Sequence, residues 1–200
     1  MKISGMTFTE LVVACVLMGI IMVGIAGFSL AVRTVQDSAS KTTILSIQTS
    51  AAIKHIARYS SLATGENSDP GYYKDTANPY PSTGFRIDVN STPTDYADDL
   101  WVIYQTSQAN PNQLVTCTRP PAAGLPPTPN TDGPCTSTEA TYIVLLNTVI
   151  NFNNSIVANQ NELYFIINLT TRYNPSAAMH PIDNPEYTLS TYVVPLAHGL

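Results

Sequence analysis

Twenty-two consecutive residues, Leu11 to Val32, carry no charge, and Ser29 is the most polar side chain among them. At 1.5 Å per helical residue such a run reaches about 33 Å, enough to cross the hydrocarbon of a bilayer. A cleaved secretory signal has a shorter apolar core followed by a small-residue cleavage site. Here "GIAGFSLAV" is the nearest approach to such a site, so the run is expected to stay on the protein. One acid, Glu10, stands directly before it, and Arg33 directly after it.

The periodicity changes at Arg33 but does not stop. In "RTVQDSASKTTILSIQTSAAIKHIARYSSL" Leu45, Ala52, Ile56 and Tyr59 recur at spacings of seven, four and three, flanked by Ile53 and Ala57. Gln48, Lys54 and Arg58 fall on other faces, and neither proline nor glycine interrupts until Gly65. That is an amphipathic helix. One helix of some 80 Å is therefore expected from about Thr7 to Leu62. Its first half suits lipid, and its second half suits packing on a folded domain.

"ATGENSDPGYYKDTANPYPSTG", Ala63 to Gly84, reads as turn chemistry, dense in Gly, Pro, Asn and Asp. Beyond it "FRIDVN", "LWVIYQ", "QLVTCT", "ELYFIINLTTRY" and "EYTLSTYVVPL" read as strands, the first through alternation of Phe85, Ile87 and Val89. "TYIVLLNTVINF" is apolar enough for a buried strand and short enough to be ambiguous with a helix. A long helix followed by an antiparallel sheet makes the fold class α+β, the second half of the helix covering one sheet face.

Cys15 lies in the apolar run and reads as a small hydrophobe. Cys117 and Cys135 bracket "TRPPAAGLPPTPNTDGP", too rich in Pro and Gly to order itself. A disulfide there would close a loop of roughly 20 residues, worth on the order of 3 kcal/mol, and would imply an oxidising compartment. Two unrelated thiols are the alternative; zinc is disfavoured because no CxxC or histidine pair accompanies them.

Charged residues make up only 12% of the chain and the net charge is −5, which argues against nucleic acid as a partner. His55, His180 and His198 lack metal-ligand spacing, and neither a nucleophile elbow nor a phosphate loop is present. The reading is therefore not an enzyme, with no cofactor. Asp95, Asp98 and Asp99 could gather oxygens for calcium, but a hydrated turn is the better reading, and no metal is expected. Tyr72, Tyr73, Tyr80, Tyr96 and Tyr104 read as half-buried packing rather than a stacking platform.

"SGMTFTELVVACVLMGIIMVGIAGF" joins Gly5, Glu10 and the apolar run in one pattern. It resembles the prepilin signature of type IV pilins and type II secretion pseudopilins. The resemblance implies a leader of residues 1–5, cleavage between Gly5 and Met6, and an N-methylated Met6. It also implies a transmembrane and assembly helix at 6–32, an amphipathic continuation at 33–62 and a periplasmic head at 63–200. Glu10 would be the signature acid that meets a neighbouring subunit's terminal ammonium. Met6 departs from the family, where phenylalanine is most common. "DYADDLWVIYQT", "ELYFIINLTTRYN" and "YTLSTYVVPLAHGL" resemble the larger minor pilins of the PilW and pseudopilin-J sort, although His198-Gly199 stands where those carry Arg-Asn. The implied partners are a prepilin peptidase/methyltransferase, other pilin or pseudopilin subunits, and the bacterial inner membrane before assembly. A major pilin of a fibre shaft, and a filament-displayed adhesin or DNA-uptake module, are the alternatives within this class.

Overall fold

The computed structural model describes residues 7–65, 71–75, 82–92, 95, 97–121, 133–159, 162–195 and 197–198, with backbone only for 154–159, 162–163 and 197–198. A single helix, α1 (Phe8–Ser61), runs 54 residues, or about 81 Å. It starts at Thr7, an N-cap with extended backbone, and stops at Leu62, whose N–H turns back to the carbonyls of Ser60 and Tyr59. The expected bounds are met.

The two halves of α1 live in different surroundings. No large apolar side chain between Phe8 and Leu30 is less than 43% exposed. Polar groups in and just past this half are satisfied within the helix: Ser29 donates to the Ile25 carbonyl at 2.8 Å, and Thr34 to that of Leu30 at 2.7 Å. The helix is long and apolar enough to cross a membrane, and none of its most apolar stretch is covered by the rest of the chain. Farther on, Leu45, Thr49, Ala52, Ile53, Ile56 and Ser60 are buried. Tyr59, expected in this stripe, is only half-buried, while Thr49 and Ser60 take places in it. Their hydroxyls are paired, Thr49 with Thr171 at 2.8 Å and Ser60 with the Ala57 carbonyl at 3.1 Å, which is what makes their burial tolerable.

The head is β-rich. β1 (Thr64–Gly65) pairs in parallel with β10 (Ala197–His198). β2 (Tyr72–Asp75), β3 (Ser82–Ile87), β4 (Leu100–Thr106), β5 (Leu114–Arg119) and β6 (Ile143–Leu146) form a five-stranded antiparallel sheet in chain order. β7 (Val149–Asn159), β8 (Glu162–Arg172) and β9 (Glu186–Val193) form a three-stranded antiparallel sheet.

Three sequence expectations are corrected. The turn-rich stretch holds β1, β2 and the start of β3, with Tyr72 and Tyr73 of the short edge strand β2 registered against Phe85 and Gly84. β3 starts at Ser82 and stops at Ile87, so Val89 is exposed beyond its end. "TYIVLLNTVINF" is neither one strand nor a helix: it breaks at Asn147-Thr148, where the chain passes from one sheet to the other.

The second half of α1 packs mainly on β9 and β8 and reaches β6 and β3. Ala52, Ile53 and Ile56 meet Phe85, Val102, Tyr104, Phe165, Ile167 and Leu169 in one core. Phe85 and Phe165 stand edge-to-face at 5.0 Å. His55 Nδ1 lies 3.1 Å from the Tyr104 hydroxyl; burial, then the charge of Arg58, lowers the pKa of its imidazole below the ordinary value.

The helix exit is tied to the sheet by Arg86, 3% exposed, whose Nε donates to the Thr64 carbonyl at 3.2 Å. Its guanidinium lies over Trp101 at 5.8 Å, and its Nε is 3.6 Å from a carboxylate oxygen of Asp99, itself 1% exposed. Gly71 passes so close that a Cβ there would fall 1.6 Å from the Thr64 carbonyl oxygen, which leaves room for glycine alone. Arg86→Met leaves the Asp99 charge buried without its counter-ion and is expected to cost about 3–5 kcal/mol in denaturant unfolding of the full chain in detergent. Adding Asp99→Leu should recover most of that loss, because the double variant buries no lone charge.

Candidate functional site

Two places in the molecule concentrate the residues singled out from the sequence. The first is the amino end of α1. Gly5 and Met6 lie outside the described residues. Glu10 is the third helical residue and forms a reciprocal cap with Thr7. Its Oε2 accepts the Thr7 N–H at 2.8 Å and the Thr7 hydroxyl at 2.9 Å, and the Glu10 N–H donates back to Thr7 Oγ1 at 3.4 Å. Two of the helix's orphan donors are thereby satisfied, and the carboxylate sits at the positive end of the helix dipole. Among the described residues its other oxygen, Oε1, takes no hydrogen bond. The spacing Thr-x-x-Glu is a capping-box signature and would have disclosed Thr7's part from sequence alone.

The second is the far face of the five-stranded sheet. Cys117 and Cys135 are joined in a disulfide with Cα atoms 5.9 Å apart. The pair is buried with Trp101, Ile103 and Val115, and Tyr73 and Tyr142 pack against this cluster. β4 is therefore covered on both sides, Trp101 and Ile103 facing the disulfide and Val102 and Tyr104 facing the helix, which is why it reads as a continuous apolar run.

Arg119 holds the returning chain in place. Its guanidinium donates to the carbonyls of Gly133 at 2.7 Å and Pro134 at 3.0 Å, and to both Glu139 oxygens at 3.2 and 2.6 Å. Glu139 also accepts the Thr136 N–H at 2.9 Å. Burial alone would raise the Glu139 carboxyl, but these hydrogen bonds and the Arg119 charge outweigh it and hold the pKa below its ordinary value. Sequence reasoning missed this clamp, since Arg119 and Glu139 stand 20 residues apart and only the disulfide excursion brings them together.

Among the described residues the remaining candidates do not converge on a reactive centre. Asp98 accepts from Asn90 Nδ2 at 2.8 Å and from the Thr92 hydroxyl at 3.1 Å, and Asp95 accepts the Ala97 N–H at 3.1 Å. Asp99 points inward to Arg86. Its carboxyl is raised by burial first and then by the charge of Asp88, with Arg86 opposing. Among the described residues the set of metal-ligand side chains that comes together is Cys117, Cys135 and Glu139, and its sulfurs are engaged in the disulfide. Tyr72 stacks edge-on to Phe165 at 5.4 Å, Tyr73 lies against Trp101 at 5.6 Å, and Tyr104 is wholly buried. Tyr80 and Tyr96 lie outside the described residues. Cys15 is exposed on the apolar half of α1.

No protein-family model, no curated protein and no solved structure matches this chain.

The lowered pKa of Glu139 gives a signed prediction. Its stabilising contribution is complete above the ordinary carboxyl value of 4.5 and is lost as pH falls through the depressed folded value. The denaturation midpoint should therefore fall as pH drops below about 4.5, and Glu139→Gln should flatten part of that fall. Reduction of Cys117–Cys135 should lower stability by about 3 kcal/mol at neutral pH, read from the same denaturation curves.

Proposed function

We propose that this chain is a non-enzymatic structural subunit, of the minor kind, of a type IV pilus or a type II secretion pseudopilus. The observation that carries the reading is the division of α1. One half is bare of any cover and apolar all round, with a single acid at its mouth; the other is packed into a disulfide-tied β head. An apolar surface of that extent is soluble only in lipid or in a bundle of like helices. Gly19, Gly24 and Gly27 have nothing within 4 Å of the place a Cβ would occupy, so no contact among the described residues calls for glycine there. Close approach of neighbouring helices is a physical use for such residues.

In this reading a prepilin peptidase cuts between Gly5 and Met6, and the new Met6 terminus is methylated. The head faces the periplasm while α1 spans the bacterial inner membrane. On assembly α1 leaves lipid for a bundle of other pilin or pseudopilin helices. Glu10, anchored through Oε2, has Oε1 to offer to the ammonium of the adjoining subunit. A pair of ions in a low-dielectric bundle is far less costly than either ion alone.

Mass spectrometry of the mature protein should find a methylated Met6 as first residue; a chain that still begins with Met1 or Lys2 would sink the proposal. Glu10→Ala should be processed but lost from purified filaments. Thr7→Ala breaks the same cap and keeps the acid, so it should still be incorporated. Equal incorporation of both variants removes the ion-pair role from Glu10.

A further inference from the structure

The turn between β8 and β9 is the first part of the head met on passing along α1 from its amino end. Helix side chains from Arg33 to Asp37 are exposed, and partial cover begins at Ser38 and recurs at Lys41 and Thr42. The covering atoms belong to that turn: Ser38 Oγ donates to the Pro181 carbonyl at 3.4 Å, and Lys41 Nζ to the Asp183 carbonyl at 3.3 Å. Lys41 also lies 5.4 Å from the centre of the Tyr173 ring. The turn's shape is set by its own backbone, since His180 and Asn184 exchange hydrogen bonds at 3.1 and 2.9 Å. The Asn184 side-chain amide donates to the carbonyls of Asn174 and Ala178, each at 2.9 Å. On this well-tied turn Met179, Ile182 and Tyr173 nevertheless remain 53%, 47% and 43% exposed.

Height along the helix says what could cover them. Ser38 lies six positions beyond Val32, the last of the apolar run, a rise of about 9 Å. The headgroup layer is roughly 5–8 Å deep, and a helix tilt of about 20° lowers one flank of the head further. Tyrosine beside aliphatic side chains is the composition that partitions into that layer. The charges nearby balance, Arg33 and Lys41 against Asp37 and Asp183, so the patch fits a surface without net charge.

We infer that the β8–β9 turn is an interfacial foot: Tyr173, Met179 and Ile182 seat in the headgroup layer of a zwitterionic phospholipid leaflet before assembly. The inference rests on the reading that the apolar half of α1 spans the bilayer. The foot fixes the tilt and rotation of the head over the membrane, and filament entry must lift it out.

The test uses the full chain in phosphatidylcholine vesicles, with a polarity-sensitive fluorophore on single cysteines and spin-labelled lipids as quenchers. Ile182→Cys and Met179→Cys are made on a Cys15→Ala background. Lys54→Cys, 13 residues beyond Lys41 and about 20 Å farther along the helix, serves as the remote site. Labels at 182 and 179 should emit to the blue of the label at 54 and be quenched by a headgroup spin label that leaves 54 untouched. A label on native Cys15 should be quenched by a spin label deep in the acyl chain. If Cys15 is quenched while 182 and 179 behave like 54, the foot is overturned and the spanning reading stands. If Cys15 is not quenched either, the spanning reading fails and the foot with it. A blue shift at 182 that grows with the protein-to-lipid ratio assigns the patch to a second protein copy and overturns lipid as its occupant.

Discussion

An uninterrupted ladder of backbone hydrogen bonds carries α1 through two kinds of surroundings. A helix closes its own N–H and C=O groups, so its backbone is indifferent to whether hydrocarbon or protein lies outside it. The side chains then decide the surroundings. Up to Leu30 they are apolar on every face; farther on one stripe faces the sheets. The open ends of the ladder need closing, and Thr7 with Glu10 does this at the amino end.

The head answers a related difficulty with different means. Its five-stranded sheet has α1 on one face only, and a sheet with an apolar second face needs another cover. The chain supplies one with Cys135 and Tyr142, where the disulfide and Arg119 hold it in place. Arg86, over Trp101 on that same face, plays a comparable part at the exit of α1, joining Thr64 to Asp99 just before β4. Arg119 spreads several donors over two carbonyls and a carboxylate, which a lysine's single ammonium does less well.

In the proposed filament these features have a common consequence. The bare half of α1 exchanges lipid for neighbouring helices with little change in polarity, so assembly is driven by packing and by the few charges at its ends. In that reading Glu10 and Arg33 would mark the two boundaries of that exchange, one at each end of the apolar run. A subunit seated by its β8–β9 turn would be presented to the growing filament in one orientation.

Much of this was legible in the residues. Absence of charge from Leu11 to Val32, and spacings of three and four beyond Arg33, specify a long two-part helix because helical periodicity is local chemistry. Alternating or continuous apolar runs likewise located β3, β4, β5, β8 and β9, and proline-rich chain between two cysteines pointed to a covalent tie. Tertiary structure alone decided that β6 and β7 belong to different sheets and that Tyr72–Asp75 is a strand, since an edge strand or a sheet change is settled by partners distant in sequence. It also decided that Thr49 and Ser60 are buried, that Asp99 faces Arg86, and that Glu139 meets Arg119. Each of these depends on finding a polar partner across the fold, and no periodicity within one segment records such a pairing.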